Sequence, residues 1–146
     1  STINIGQLDD SVSGKVSSVS VLETTGRAAQ IYSRALRQAL YVHGQSIPTY
    51  ELTSSISASS SSTLSVRGVG STFKELTMVA SFKLTKQSSG DVLLQDKVSA
   101  DATFGTVSSL FGQDQSELHA RDRMARLIAQ RVAQRVQLYF LENVDN

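Results

Sequence analysis

At 146 residues and a formal charge of +1, the chain is sized for one domain and has no charge bias toward nucleic acid or an acidic substrate. It has no cysteine and two histidines, His43 and His119. That excludes thiol chemistry, disulfides and a histidine-rich metal site. Apolar residues make up 40% of it, yet no run approaches the roughly 20 needed to span a bilayer.

Residues 1–14 (STINIGQLDDSVSG) are polar and show no period, so they read as a flexible N-terminal tether. They do not form a signal peptide, although a processed export substrate would begin the same way. Lys15 to Leu22 reads as a first strand, with Val19 and Val21 alternating with Ser18 and Ser20. Thr24 or Thr25 is placed to cap a helix over Arg27–His43. In that helix Ala28, Ile31, Tyr32, Ala35, Leu36, Ala39 and Leu40 share one face, and Gly44 stands where a left-handed C-cap belongs. Arg27, Arg34 and Arg37 line the other face as solubilising charge.

The only proline, Pro48, opens a strand in which Tyr50, Leu52, Ile56 and Ala58 alternate with threonine, glutamate and serine. The serine run Ser59–Ser62 has the composition of a linker, but Leu64 and Val66 resume the alternation after it. The strand is therefore expected to continue into a hairpin tip at Arg67–Ser71. Thr72 to Lys86 is the clearest strand: Leu76, Met78, Ala80, Phe82 and Leu84 face inward. A turn at Gln87–Gly90 leads to a return strand, Asp91–Phe104, with Val92, Leu94, Val98, Ala100 and Ala102 inward. Asp96 interrupts that inward set, which predicts a sheet edge or a bulge.

Ser116 to Leu141 contains no Gly or Pro and is built from good helix formers. Asp114 and Ser116 are its candidate caps. Leu118, Met124, Ala125, Ile128, Ala129, Val132, Ala133, Val136, Tyr139 and Phe140 form a broad stripe at a period of 3.6. A stripe so wide needs a sheet face to cover it. The opposite face carries Arg123, Arg126, Arg131 and Arg135. Leu127 and Leu138 lie there too, close to one angular position, and are candidate partner contacts.

These elements give an α+β fold: a two-layer sandwich in the order β-α-β-β-β-α, with a four-stranded, mostly antiparallel sheet and two helices on one face. Residues 15–142 form the single domain, with 143–146 as a tail. Each strand keeps one wet face, rich in serine and threonine. No nucleophile–base pair or metal triad is visible, so no catalytic residue, metal ligand or cofactor is assigned.

The pattern resembles a known family. A helix of small and basic residues leads to a Tyr-x-Leu strand and a long serine- and threonine-rich hairpin. A strand LTMVASFKL, a turn SGDVL and the ending IAQRVAQRVQLYF follow. Over Val19–Leu40, Tyr50–Leu52, Leu76–Ala102 and Glu117–Phe140 this is similar to the lipopolysaccharide-assembly lipoprotein LptE of alphaproteobacterial type. The resemblance implies a non-enzymatic protein at the periplasmic face of the outer membrane, held by an acylated N-terminal cysteine that this chain lacks. It also implies two partners: an LptD-like β-barrel, which the protein plugs and supports, and lipopolysaccharide on its way to the cell surface. Lipopolysaccharide carries phosphates, so its candidate contacts are the basic residues Arg67, Lys74, Lys83, Lys86 and Lys97.

Two other readings share the layout. An auxiliary lipoprotein of an ABC-type lipid transport system has the same sheet, helices and tether. A double-stranded RNA-binding module has the α-β-β-β-α order, but expects a lysine cluster where this last helix begins with Ser116-Glu117-Leu118. Nucleic acid is therefore not an expected partner.

Overall fold

The computed structural model describes residues 5–22, 25–64, 72–105 and 110–143. The elements run α1 (Ile5–Ser17), β1 (Val19–Val21), α2 (Arg27–Leu40), β2 (Tyr50–Leu64), β3 (Thr72–Lys86), β4 (Val92–Gly105) and α3 (Leu110–Glu142). The sheet order follows the sequence, β1-β2-β3-β4. β1 runs parallel to β2, while β2–β3 and β3–β4 are antiparallel. The expected α+β sandwich with a mostly antiparallel four-stranded sheet is what the chain forms.

Strict alternation puts the even-numbered residues of β3 against the helices. Leu76, Met78, Ala80, Phe82 and Leu84 are all buried. Across them lies the stripe of α3, with Met124, Ala125, Ile128, Ala129, Val132, Ala133, Val136 and Phe140 buried. Each large aliphatic side chain so buried contributes about 1.5–3 kcal/mol relative to exposure. At 33 residues, α3 spans about 50 Å at 1.5 Å per residue, matching β3, whose 15 residues rise about 3.3 Å each. Its start meets the far end of β3, where Lys74 pairs with Glu117. Its end reaches the other end of the sheet, where the Tyr50 and Phe140 rings meet at a tilt of 58° with centroids 4.9 Å apart.

The second helix is shorter. At 14 residues α2 covers only about 21 Å. It lies over β1 and the first turns of β2, where the Tyr32 hydroxyl and the Ser54 hydroxyl share a 2.8 Å hydrogen bond. Arg37 donates to the Val21 carbonyl and Tyr41 to the Val19 carbonyl, tying the end of α2 to β1. Arg27 at its start reaches Asp122 of α3 at 3.2 Å. Beyond Ile56, β2 has no helix over it among the described residues: residues 57–61 are exposed on both faces.

Several local expectations change. The opening stretch contains a helix, α1, where its polar composition predicts none. Val16 is buried and Val12 half-buried, so one apolar ridge on a serine-rich helix is enough to dock it. The first strand shrinks from Lys15–Leu22 to three residues, because Lys15–Ser17 belong to α1. Among the described residues no side chain caps α2, whose N-cap position is Gly26; Thr24 lies outside them, and the helix ends at Leu40 rather than His43. Gly44 does take a left-handed φ of 94°, but in the turn that follows. α3 starts at Leu110, which puts Asp114 and Ser116 inside the helix rather than at its cap.

The serine run stays in the strand as expected, with Ser59–Ser62 paired to Thr77–Lys74. Gly90, at φ 75°, closes the β3–β4 turn by donating to the Lys86 carbonyl at 2.7 Å. Asp96 faces the helices and lies on β4, the sheet edge. The bulge falls elsewhere, between Leu84 and Thr85 opposite Leu94 and Val92. It turns Val92 out to 50% exposure, against its expected inward place.

Candidate functional site

The sheet face turned away from the helices carries the polar row of every long strand. Thr53, Ser55, Ser57, Ser59 and Ser61 come from β2, Thr77, Ser81, Lys83 and Thr85 from β3, and Gln95, Lys97, Ser99, Asp101 and Thr103 from β4. Val79 and Phe73 are the apolar exceptions. Short hydroxyl side chains donate and accept in several directions and lose little entropy on ordering. Some are already coupled across strands: Thr77 donates to Asp101 at 2.8 Å.

Within this face a shallow groove of about 590 Å³ is lined by Thr53, Ser55, Ser81, Lys83, Gln95 and Lys97, with Ser54, Phe82 and Asp96 at its rim and floor. Ser81 is opposite Lys97 and Lys83 is opposite Gln95, so the two lysines are diagonal neighbours. Such neighbours sit about 7–8 Å apart, a spacing one phosphate or two adjacent ones can bridge. Two of the five basic candidates are thus brought together.

The others are not. Lys74 and Lys86 have the opposite parity and lie on the helix side, at the two ends of β3. Lys74 is engaged with Glu117, which half-buries both. Lys86 lines a separate dimple of about 250 Å³ with Lys15, Tyr50, Leu93, Tyr139, Phe140 and Asn143. Burial, and then the neighbouring Tyr50, raise the Tyr139 hydroxyl pKa above its usual value. The sequence hides this dimple because its residues come from α1, β2, β3, β4 and α3. Arg67 lies outside the described residues.

The two leucines on the outer face of α3 also separate. Leu138, 44% exposed, lines an apolar groove of about 550 Å³ with Val12, Val16, Ala39, Leu40, Val42 and Leu141. Leu127 stands apart from it, 40% exposed.

The arginine row of α3 serves the sheet edge. Arg135 donates to Asp96 at 3.0 Å and Arg131 to the Ser99 carbonyl. The Asp96 carboxyl is held below its usual pKa, first by the Lys97 backbone N–H at 2.8 Å and then by Arg135. A carboxylate on an inward position is tolerated because β4 is the edge and the guanidinium reaches over it. Half of the row expected to face solvent is therefore spent on β4, which weakens any phosphate-backbone role for it. Among the described residues no three His, Asp or Glu side chains cluster as metal ligands, and no helix is long and apolar enough to cross a membrane.

The fold and this face define an α+β sandwich with a broad polar sheet surface turned away from its helices. Solved structures share the fold. A lipoprotein candidate of Caulobacter crescentus matches with a TM-score of 0.71 at 18% identity, over 89% of this chain and 96% of that one. Rare lipoprotein B of Shewanella oneidensis matches at 0.64 and 15%, over 88% and 98%. A minor lipoprotein of Acinetobacter baumannii matches at 0.51 and 14%, over 86% and 90%. No curated protein matches the sequence. Residues 14–136 match the LptE lipopolysaccharide-assembly family, and the chain belongs to that family. Its members are assembly lipoproteins and not enzymes.

Proposed function

We propose that this protein plugs and supports an LptD-type β-barrel at the periplasmic face of the outer membrane and helps pass lipopolysaccharide to the cell surface. An acylated cysteine upstream of residue 1 would anchor it, with the chain between that cysteine and α1 as the tether. The observation that carries the proposal is the hydroxyl-coated outer sheet face. A barrel lumen is polar, and a plug must meet it with a surface rich in groups that donate and accept hydrogen bonds. Serine and threonine on three adjacent strands suit that wall.

Within this reading, the Lys83–Lys97 pair is the favoured phosphate contact, with Lys86 and Arg67 as further candidates. Lys74 is the weakest of the five, since binding there must break its pair with Glu117. Leu127 and Leu138 are proposed partner contacts. Co-expression with the barrel encoded in the same genome tests the proposal. A stoichiometric complex that survives affinity purification is expected; a barrel that assembles and purifies without this chain rules the plug role out.

A further inference from the structure

The two edges of the sheet are treated in opposite ways. On β4 the outer edge is guarded: Arg131 takes the Ser99 carbonyl, Arg135 pairs with Asp96, and Lys97 and Asp101 add charge. These are the devices that keep a strand edge from pairing with another chain. At the other side, β1 covers β2 only from Tyr50 to Leu52. From Thr53 to Leu64 the edge of β2 has no neighbouring strand among the described residues, and that stretch contains no charge, no proline and no bulge.

Parity fixes which backbone groups are free. The Tyr50 N–H and the Leu52 carbonyl bond to β1, while the Thr49 carbonyl accepts from Gln87 beyond β3. Even-numbered residues of β2 therefore point both backbone groups at the open edge, and odd-numbered ones bond to β3. Ser54, Ile56, Ala58, Ser60 and Ser62 present five unpaired N–H and five unpaired carbonyl groups in register, with no partner among the described residues.

We propose that this edge of β2 is a docking site for an extended segment of a partner polypeptide, which adds a fifth strand to the sheet. The segment alternates. Its apolar residues lie on the helix side beside Ile56 and Ala58, in the space that α2 is too short to cover. Its hydroxyl or amide residues continue the polar outer face. A second copy of this chain fits less well: side chains of serine and alanine leave little apolar area to bury, far below the about 800 Å² per partner of a stable interface. The strand must come from a chain already held by other contacts, so the inference rests on the barrel assembly proposed above.

Ala58→Pro isolates the edge. It removes an N–H that faces outward and leaves every β2–β3 bond intact, a place where an edge strand accepts proline. Ala58→Lys adds a guarding charge without touching the backbone. Each full-length variant is co-expressed with the barrel, and co-purified yield is read beside the melting temperature of the chain alone. Both variants are expected to keep the wild-type melting temperature within a few degrees and to lower the co-purified yield about tenfold. Wild-type yield from both overturns the edge proposal and leaves the plug reading standing. Failure of the wild-type chain to co-purify overturns the plug reading and this inference with it. A concentration-dependent dimer that Ala58→Pro dissolves overturns it in favour of a second copy.

Discussion

Replacing Tyr32 by Phe should give a stability change that depends on pH in a specific way. Tyr32 is fully buried between α2 and the sheet, and its hydroxyl makes one hydrogen bond, 2.8 Å to Ser54. Removing that hydroxyl costs about 1 kcal/mol at neutral pH, the net worth of one such bond, because half-buried Ser54 can still reach water. Burial also pushes the Tyr32 pKa up to about 12 from an ordinary 10. The folded state therefore holds a proton that the unfolded chain releases. The stabilisation is complete below pH 10 and drains away as pH rises toward 12. At pH 11 the loss from this one group is about 1.4 kcal/mol. The phenylalanine variant has no such loss, and all other titrations cancel in the difference. Urea denaturation of both proteins at pH 7 and pH 11 should show the wild type ahead by about 1 kcal/mol at pH 7 and behind by about 0.4 kcal/mol at pH 11. A gap of equal size at both values would refute the buried-hydroxyl argument.

Three further outcomes follow from the packing. Ile128→Ala should cost about 3 kcal/mol, since Ile128 is fully buried under the sheet, while Leu127→Ala should cost under about 0.5. Equal losses in chemical denaturation would mean that α3 is turned the other way. Ser33 is buried in α2 with no hydrogen-bond partner for its hydroxyl among the described residues, so Ser33→Ala should raise stability by about 1 kcal/mol. A comparable loss would reveal a partner. Lys83→Glu combined with Lys97→Glu should weaken binding to purified lipopolysaccharide without lowering the melting temperature, because both side chains are exposed. Unchanged binding would remove the groove from the ligand path.

What was readable in the chain depended on how local the signal was. Period-two alternation in Leu76–Leu84 and the 3.6 stripe from Met124 to Phe140 each repeat several times, and both predicted faces are the buried ones. A three-residue strand has no room for a period, so β1 shrank once its first residues joined a helix. α1 carries only Ile5, Leu8, Val12 and Val16 at helical spacing, among glycines, serines and aspartates that argue for a loop. Its packing against α3 overrides that local preference. Contacts between distant residues were out of reach altogether. Arg135 and Asp96 are 39 positions apart, so the inward Asp96 looked like a defect until the arginine closed over it. The Lys83–Lys97 pair depends on a register that neither strand encodes by itself.

The unequal lengths of the two main helices connect the fold to the proposed role. One helix of about 50 Å would suffice to cover β3 and β4, and α3 does so from end to end. Had α2 been equally long, β2 would be sealed and the sheet would offer only its wet face. Instead the sheet outruns α2 by more than half its length, so residues 57–61 gain nothing from the core and still hold strand geometry through β3 alone. A stretch of serines in that position has no folding role that shortening the hairpin would not serve better. Its cost in backbone entropy is about 1–2 kcal/mol per ordered residue, met by the ladder to β3 alone, and the fifth strand proposed above would add a second ladder. The low identities to solved structures of the same fold fit this logic: at 14–18% the helix stripe and the strand alternation are what the fold needs, and both survive wholesale exchange of residues.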